Sequence, residues 1–318
     1  MPPARGPARG LRGRHPGTLT ARGVDPGLDA QLGGHSPELR TALSELRRIK
    51  DDWEVDQLRG AVDATVQGFA DVAAALGAAV RGGGERWLQG TFDRRARALG
   101  NGPGYASIVA AGANSPVLHW TRCDGPVAED AIVLLDAGVE AHTLYTADIT
   151  RTFPVSGAFT DAERRVYDLV HAAHLAALAE VRPGKQFRAF HETAMAVLAE
   201  GLHDWGLLPV SVDKALSAEG QHHRRYIVCG TGHHLGLDVH DCTSARPSAY
   251  HRADLEPGMV LTVEPGLYFH PDDLTVPPEL RGVGVRIEDD LLVTASGAEN
   301  LSAALPSDAD AISAWFVS

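Results

Sequence analysis

Cysteine is scarce in this chain. Its 318 residues hold three, Cys123, Cys229 and Cys242, an odd number at no zinc-like spacing. That excludes a disulfide framework and a thiolate-bound structural zinc, and makes a reducing cytoplasm the expected compartment. Long apolar runs are missing too, so neither a bilayer-spanning helix nor a secretory h-region is expected. Positive charge is in deficit: 29 Lys+Arg stand against 41 Asp+Glu, for a formal net charge of -12. Such a balance argues against affinity for nucleic acid or an anionic membrane, and neither is an expected partner. No repeat of short period is visible. What is there, 44% hydrophobic and 22% charged residues, is the composition of a soluble globular protein with room for a sizeable core.

Along the chain, residues 1–23 carry five arginines and no acid, interleaved with glycine and proline. A disordered tail over 1–35 is expected, more simply a terminus without function than a nucleic-acid-binding arm. Ser36-Pro37-Glu38 opens a short helix to about Arg48, giving a helical linker over 36–50 ahead of a catalytic body at 51–318. From Trp53, Leu58, Val62, Val66, Phe69, Val72, Leu76 and Val80 recur at helical spacing, and Gly82-Gly83-Gly84 ends the helix. A third helix over Glu85–Leu99 leads to expected strands at Tyr105–Ala110 and closing at His119-Trp120. Thr160-Asp161-Ala162-Glu163 is a capping box, and Pro183-Gly184 stops its helix before another at Phe187–Trp205. Strands are expected at Tyr226–Cys229, Met259–Glu264 and Gly284–Thr294. The sum is an α+β fold, helices covering one face of a curved antiparallel sheet.

The chemistry gathers first at residues 132–154. Ile132 to Leu135 reads as a buried strand leading to Asp136 and Gly138, and Thr143–Ile149 as the returning strand, with Asp148 near its end. If the strands pair, both carboxylates face one hollow, where either a shared proton or a hard metal ion must relieve their repulsion. Two ordinary turn aspartates would be the bland alternative. His233, His234 and His240 fall within eight residues among glycines, where backbone can approach a ligand closely. Glu264 ends an apolar run, and Glu288 lies in another; either alone could face water. Together Asp136, Asp148, His233, Glu264 and Glu288 form an oxygen-dominated set. Such a set suits Mn²⁺, or Co²⁺, Fe²⁺ or Zn²⁺, better than a structural zinc site does.

The segments DAGVEAHTLYTADITRTFP, GTGHHLGLDVHD, LEPGMVLTVEPGLY and GVGVRIEDD occur in that order, and with them the chain resembles the dimetal aminopeptidase P and prolidase family. The resemblance runs from about Ile49 to Leu301 and implies the pita-bread fold. It also implies two divalent ions bound by Asp136, Asp148, His233, Glu264 and Glu288, with Asp148 and Glu288 bridging. Glu264 would double as proton acceptor, His119 and His240 would line the substrate site, and Arg286 would orient Glu288. The implied reaction is hydrolysis of the bond between an N-terminal residue and a following proline, on peptide substrates, by a cytoplasmic enzyme for which a homodimer is one assembly. The alternatives are a prolidase restricted to Xaa-Pro dipeptides and a catalytically impaired or metal-free relative.

Three departures accompany the resemblance. Asp136 and Asp148 are twelve residues apart, one more than the commoner spacing, which a bulge around His142–Leu144 would absorb. Cys229 stands where many relatives have histidine; a bystander thiol is the simpler expectation than a nucleophile. Relatives also carry a sizeable α/β domain ahead of the helix near Trp53, and its absence here would alter selection by substrate length.

Overall fold

A computed structural model describes residues 36–317; the expected tail over 1–35 lies outside them. Helix α1 (Pro37–Leu46) starts where Ser36 Oγ accepts the Leu39 N–H, with proline in the first turn. Helix α2 (Asp52–Ala78) begins with a reciprocal capping box between Asp51 and Glu54 and buries Leu58, Val62, Phe69, Val72 and Leu76 on one face. The triple glycine does not simply end it. The chain passes through one π-helical turn (Ala79–Gly83), with Gly82 at φ +119° and Gly84 at φ +61°, and α3 (Gly84–Leu99) follows at once.

The strands are β1 (Gly102–Pro103), β2 (Ile108–Ala111), β3 (Ile132–Ala137), β4 (Val139–Glu140) and β5 (Ile149–Pro154). Helices α4 (Asp161–Glu180), α5 (Arg188–Asp204) and α6 (Val212–Leu216) precede β6 (Val260–Val263), β7 (Gly266–Phe269), β8 (Val283–Arg286), β9 (Asp289–Thr294) and β10 (Gly297–Asn300). Helix α7 (Ala309–Val317) closes the order. Every strand pair is antiparallel: β2-β3-β5 and β10-β9-β6 form three-stranded sheets, β1-β4 and β7-β8 two-stranded ones. A bridge between Thr150 and Glu288 joins the two larger sheets. Helices α2 and α3 pack as one pair and α4 and α5 as another, over a core that includes Phe69, Phe92, Phe153, Tyr167 and Phe190.

Several expected strands take another form. Thr143–Asp148 is irregular: Leu144 N–H closes a turn on Ala141 O and has φ +75°, while Thr146 N–H bonds Gly236 O, so these amides have left the hairpin ladder. The twelve-residue spacing is therefore absorbed in a turn at the hairpin tip, rather than in a bulge within paired strands. His119-Trp120 and Tyr226–Cys229 lie in loops. Gly284–Thr294 divides into β8 and β9, because Ile287 N–H turns to Pro265 O and Glu288 N–H to Thr150 O. Strand β7 is additional to the sequence reading. At Thr146, Ile287 and Glu288 the β-rich composition is overridden by hydrogen bonding to distant segments, whereas Tyr226 and Ile227 close a local turn on His223 O.

Candidate metal centre

Asp136 stands on β3 opposite Thr150 of β5, and Asp148 immediately precedes β5. Gly138 allows this: a side chain there would run into the Ala147 carbonyl, one residue before Asp148. Asp148 N–H is held by Asp290 Oδ2 at 3.1 Å. His233 is fixed by the exchange of its backbone with Thr262, and Glu264 by its N–H to Thr231 O at 3.0 Å. Asp136, Asp148, His233 and Glu264, with Glu288, His119, His240, Arg286 and Cys229, wall one cavity of about 460 Å³.

Ligand-type atoms of Asp148, His233 and Glu288, from three separate segments, all lie within 4.8 Å of one another. His233 Nε2 is 3.3 Å from Asp148 Oδ2 and 3.6 Å from Glu264 Oε1. Its Nδ1 is 3.1 Å from the His234 carbonyl, so donation there leaves Nε2 facing the carboxylates. Asp136 faces the same cavity but is ion-paired with Arg286. Arg286 makes no direct bond to Glu288. Its Nε–H donates to Thr150 Oγ1 at 3.1 Å, and that hydroxyl donates to Glu288 Oε2 at 2.6 Å. A hydrogen-bonded path from Arg286 to Glu288 thus runs through Thr150.

The electrostatics mark a shortage of cations. Burial, then the charges of Asp148, Glu264 and Asp136, drives the Glu288 carboxyl well above the usual range. Burial pushes Glu264 up to about 7 against the pull of His233 and Arg286, and also raises Asp136. Burial lowers the His233 imidazole, but its hydrogen bond to Asp148 and the charge of Glu264 prevail and lift it to about 9. Tyr105 Oη lies 2.6 Å from Asp136 Oδ1 and 2.5 Å from Asp148 Oδ1. One phenolic proton cannot serve two carboxylates at once, so Asp136 and Asp148 depend on Arg286 and His233, or on a shared proton or cation, to relieve their repulsion. Four carboxylates against one guanidinium and one imidazole fit divalent ions: the donor set is hard, buried and under-neutralised.

Other residues fall differently. His234 is fully buried outside the cavity, stacked on Phe187 with a ring separation of 4.9 Å and edge-on to Tyr250. Burial, aided by Lys50 and Arg48, pushes its imidazole down to about 3. His240 stands edge-on to His233, ring centres 4.5 Å apart. Cys229 lines the cavity, and burial raises its thiol to about 11, which suits a bystander. Tyr105, Thr150 and Asp290 escaped the sequence reading, since single hydroxyls and a third acidic residue in Glu288-Asp289-Asp290 carry no spacing signal.

Comparison with known proteins places the chain in a family. The chain is 54% identical over 301 residues to Xaa-Pro aminopeptidase 2 of Streptomyces coelicolor, covering 94% of this chain and 63% of that protein. It is 37% identical over 279 residues to the Xaa-Pro aminopeptidase of Escherichia coli, covering 87% and 61%. The chain thus spans less than two thirds of the length of these relatives. Among solved structures, aminopeptidase PepP of Pseudomonas aeruginosa superposes with a TM-score of 0.83 at 32% identity, covering 94% of this chain and 70% of that one. Zinc-substituted aminopeptidase P of E. coli in complex with product gives a TM-score of 0.80 at 36% identity, covering 87% and 61%. The expected α+β pita-bread fold is met. Residues 56–295 match the model of metallopeptidase family M24, and the chain belongs to that family.

Proposed function

We propose that this chain is a dimetal aminopeptidase that hydrolyses the bond between an N-terminal residue and a following proline. The observation that carries the reading is the convergence of Asp148, His233 and Glu288 within 4.8 Å in a cavity also walled by Asp136 and Glu264. The names of the relatives supply the substrate class. In this reading Asp136, Asp148, His233, Glu264 and Glu288 would hold two divalent ions, Mn²⁺ first. Such ions would supply Lewis acidity, lowering the pKa of a water to about 7 and polarising a carbonyl.

The chain's own residues do the rest. Glu264, at the cavity wall, accepts the proton of the attacking water on a carboxylate oxygen and passes it to the departing proline nitrogen. Burial and the charge of His233 lower the His240 imidazole, so His240 meets the peptide as a neutral hydrogen-bond donor. His119 lines the same cavity from the loop after β2, and the two stabilise the tetrahedral oxyanion. Arg286, through Thr150, keeps Glu288 from rotating. The three free thiols suit a cytoplasmic setting, and no helix among the described residues is long and apolar enough to cross a membrane.

The test is hydrolysis of an Xaa-Pro tripeptide, an Xaa-Pro dipeptide and a proline-free tripeptide, with the protein reconstituted in Mn²⁺, Co²⁺, Fe²⁺ or Zn²⁺ and after chelation. Metal-dependent cleavage of the proline tripeptide is expected. Cleavage of the dipeptide alone would indicate a prolidase, and no cleavage with any metal would overturn the reading.

A further inference from the structure

We propose that Glu85 is the positioning residue for His119, a role that rests on reading the cavity as a peptidase site. Glu85 is fully buried in the first turn of α3. Its Oε1 accepts the Ala111 N–H at 2.7 Å and Asn114 Nδ2–H at 2.9 Å; its Oε2 accepts Trp120 Nε1–H and the Gly125 N–H, each at 2.7 Å. All four donors are neutral, and all four belong to one stretch. Ala111 is where β2 gives way to the loop, Gly125 is where the loop returns to α3, and Trp120 directly follows His119.

The residue type is dictated by this task. Only a carboxylate offers two oxygens with lone pairs for four donors and no hydrogen of its own. Glutamine would turn an amide NH₂ toward two of the donors, and aspartate is shorter by a methylene. The fit is close at the glycines as well: a Cβ on Gly84 would lie 2.7 Å from Gly125 O, and one on Gly125 would lie 3.0 Å from the Glu85 carboxyl carbon. Leu118, His119 and Thr121 of the clamped loop line the cavity. A second anchor, Ser115 Oγ accepting the Gly284 N–H at 2.9 Å, ties the loop to β8 but lies four residues from His119. The bond to Trp120 is the nearer constraint on the imidazole.

The experiment uses the full chain loaded with Mn²⁺ and compares Glu85→Gln, Trp120→Phe and Asp51→Ala. The last removes a helix cap elsewhere and controls for lost stability. For Glu85→Gln, kcat on the Xaa-Pro tripeptide is expected to fall about a hundredfold, the scale of a misplaced catalytic group, with KM and Mn²⁺ affinity little changed. Amide hydrogen exchange is expected to quicken across 112–125 and not across 132–154 or 259–290. Trp120→Phe should reproduce the kcat loss in weaker form, and Asp51→Ala should not show it. An unchanged kcat, a loss matched by Asp51→Ala at equal stability, or exchange that quickens throughout would overturn the proposal. If the unaltered chain cleaves no Xaa-Pro peptide, the functional reading fails by itself and the exchange pattern alone decides the clamp. If Glu85→Gln does not fold, Trp120→Phe is judged by the same criteria.

Discussion

At Thr150 a single hydroxyl takes a hydrogen bond from Arg286 at 3.1 Å and gives one to Glu288 at 2.6 Å, fully buried between the two larger sheets. Thr150→Val keeps the shape and removes both bonds. Metal affinity measured by calorimetric titration should fall by roughly 10- to 100-fold, as for other groups that orient a ligand; an unchanged affinity would remove Thr150 from the account. His174 supplies a pH dependence remote from the cavity. Burial pushes its imidazole down to about 4 although Asp289 lies 3.4 Å away. The unfolded chain takes up a proton near pH 6.5 that the folded chain excludes, so this contribution is whole above pH 6.5 and is lost as pH falls toward 4. Between pH 7 and 5 the loss is about 2 kcal/mol. Glu264 acts with the opposite sign in metal-free protein: raised to about 7, it stabilises below its unfolded value near 4.5 and loses that as pH rises through 7. Comparing urea unfolding of the parent and His174→Met cancels this second effect. The variant should lose about 2 kcal/mol less on going from pH 7 to 5, and equal losses would contradict the assignment.

Among elements, helices α1 to α5 were legible because their signals are local; the short α6 and the terminal α7 were not expected. Thr160 with Glu163 forms the reciprocal cap that its spacing announces, and Asp51 with Glu54 forms a second that was not expected. Asp51→Ala should cost about 1 kcal/mol in a melting experiment and leave kcat unaltered; a fall in kcat beyond that stability loss would mean that α2 bears on the site directly. The strands were less legible. Where the backbone of Ile287 and Glu288 turns to Pro265 and Thr150, or that of Thr146 to Gly236, the partner is far along the chain and leaves no local trace. These departures coincide with the site: the break between β8 and β9 places Glu288, and the irregular hairpin tip precedes Asp148. Ladder amides and ligand placement compete for the same short segments.

Over the whole molecule, the order of the four motif blocks foretold both the family and the cavity, because each block is a stretch of glycine-flanked backbone carrying a donor to one place. Sequence could not place Tyr105, the relay through Thr150, or the Glu85 clamp, since each depends on a contact between segments whose side chains are individually unremarkable. Nor could histidine spacing separate His234, which packs against Phe187 and Tyr250, from His233, which faces the carboxylates. The electrostatic state of the cavity unites these scales. Four carboxylates converge from β3, the start of β5 and the ends of β6 and β8, and the sheets hold them together although Glu288 and Asp136 resist ionisation there. Divalent cations are what would make that arrangement stable. Anomalous diffraction at the manganese edge, from crystals of the full chain grown with Mn²⁺, tests this most directly. Two peaks enclosed by Asp136, Asp148, His233, Glu264 and Glu288 are expected; no peak there, or ions bound elsewhere, would contradict the account.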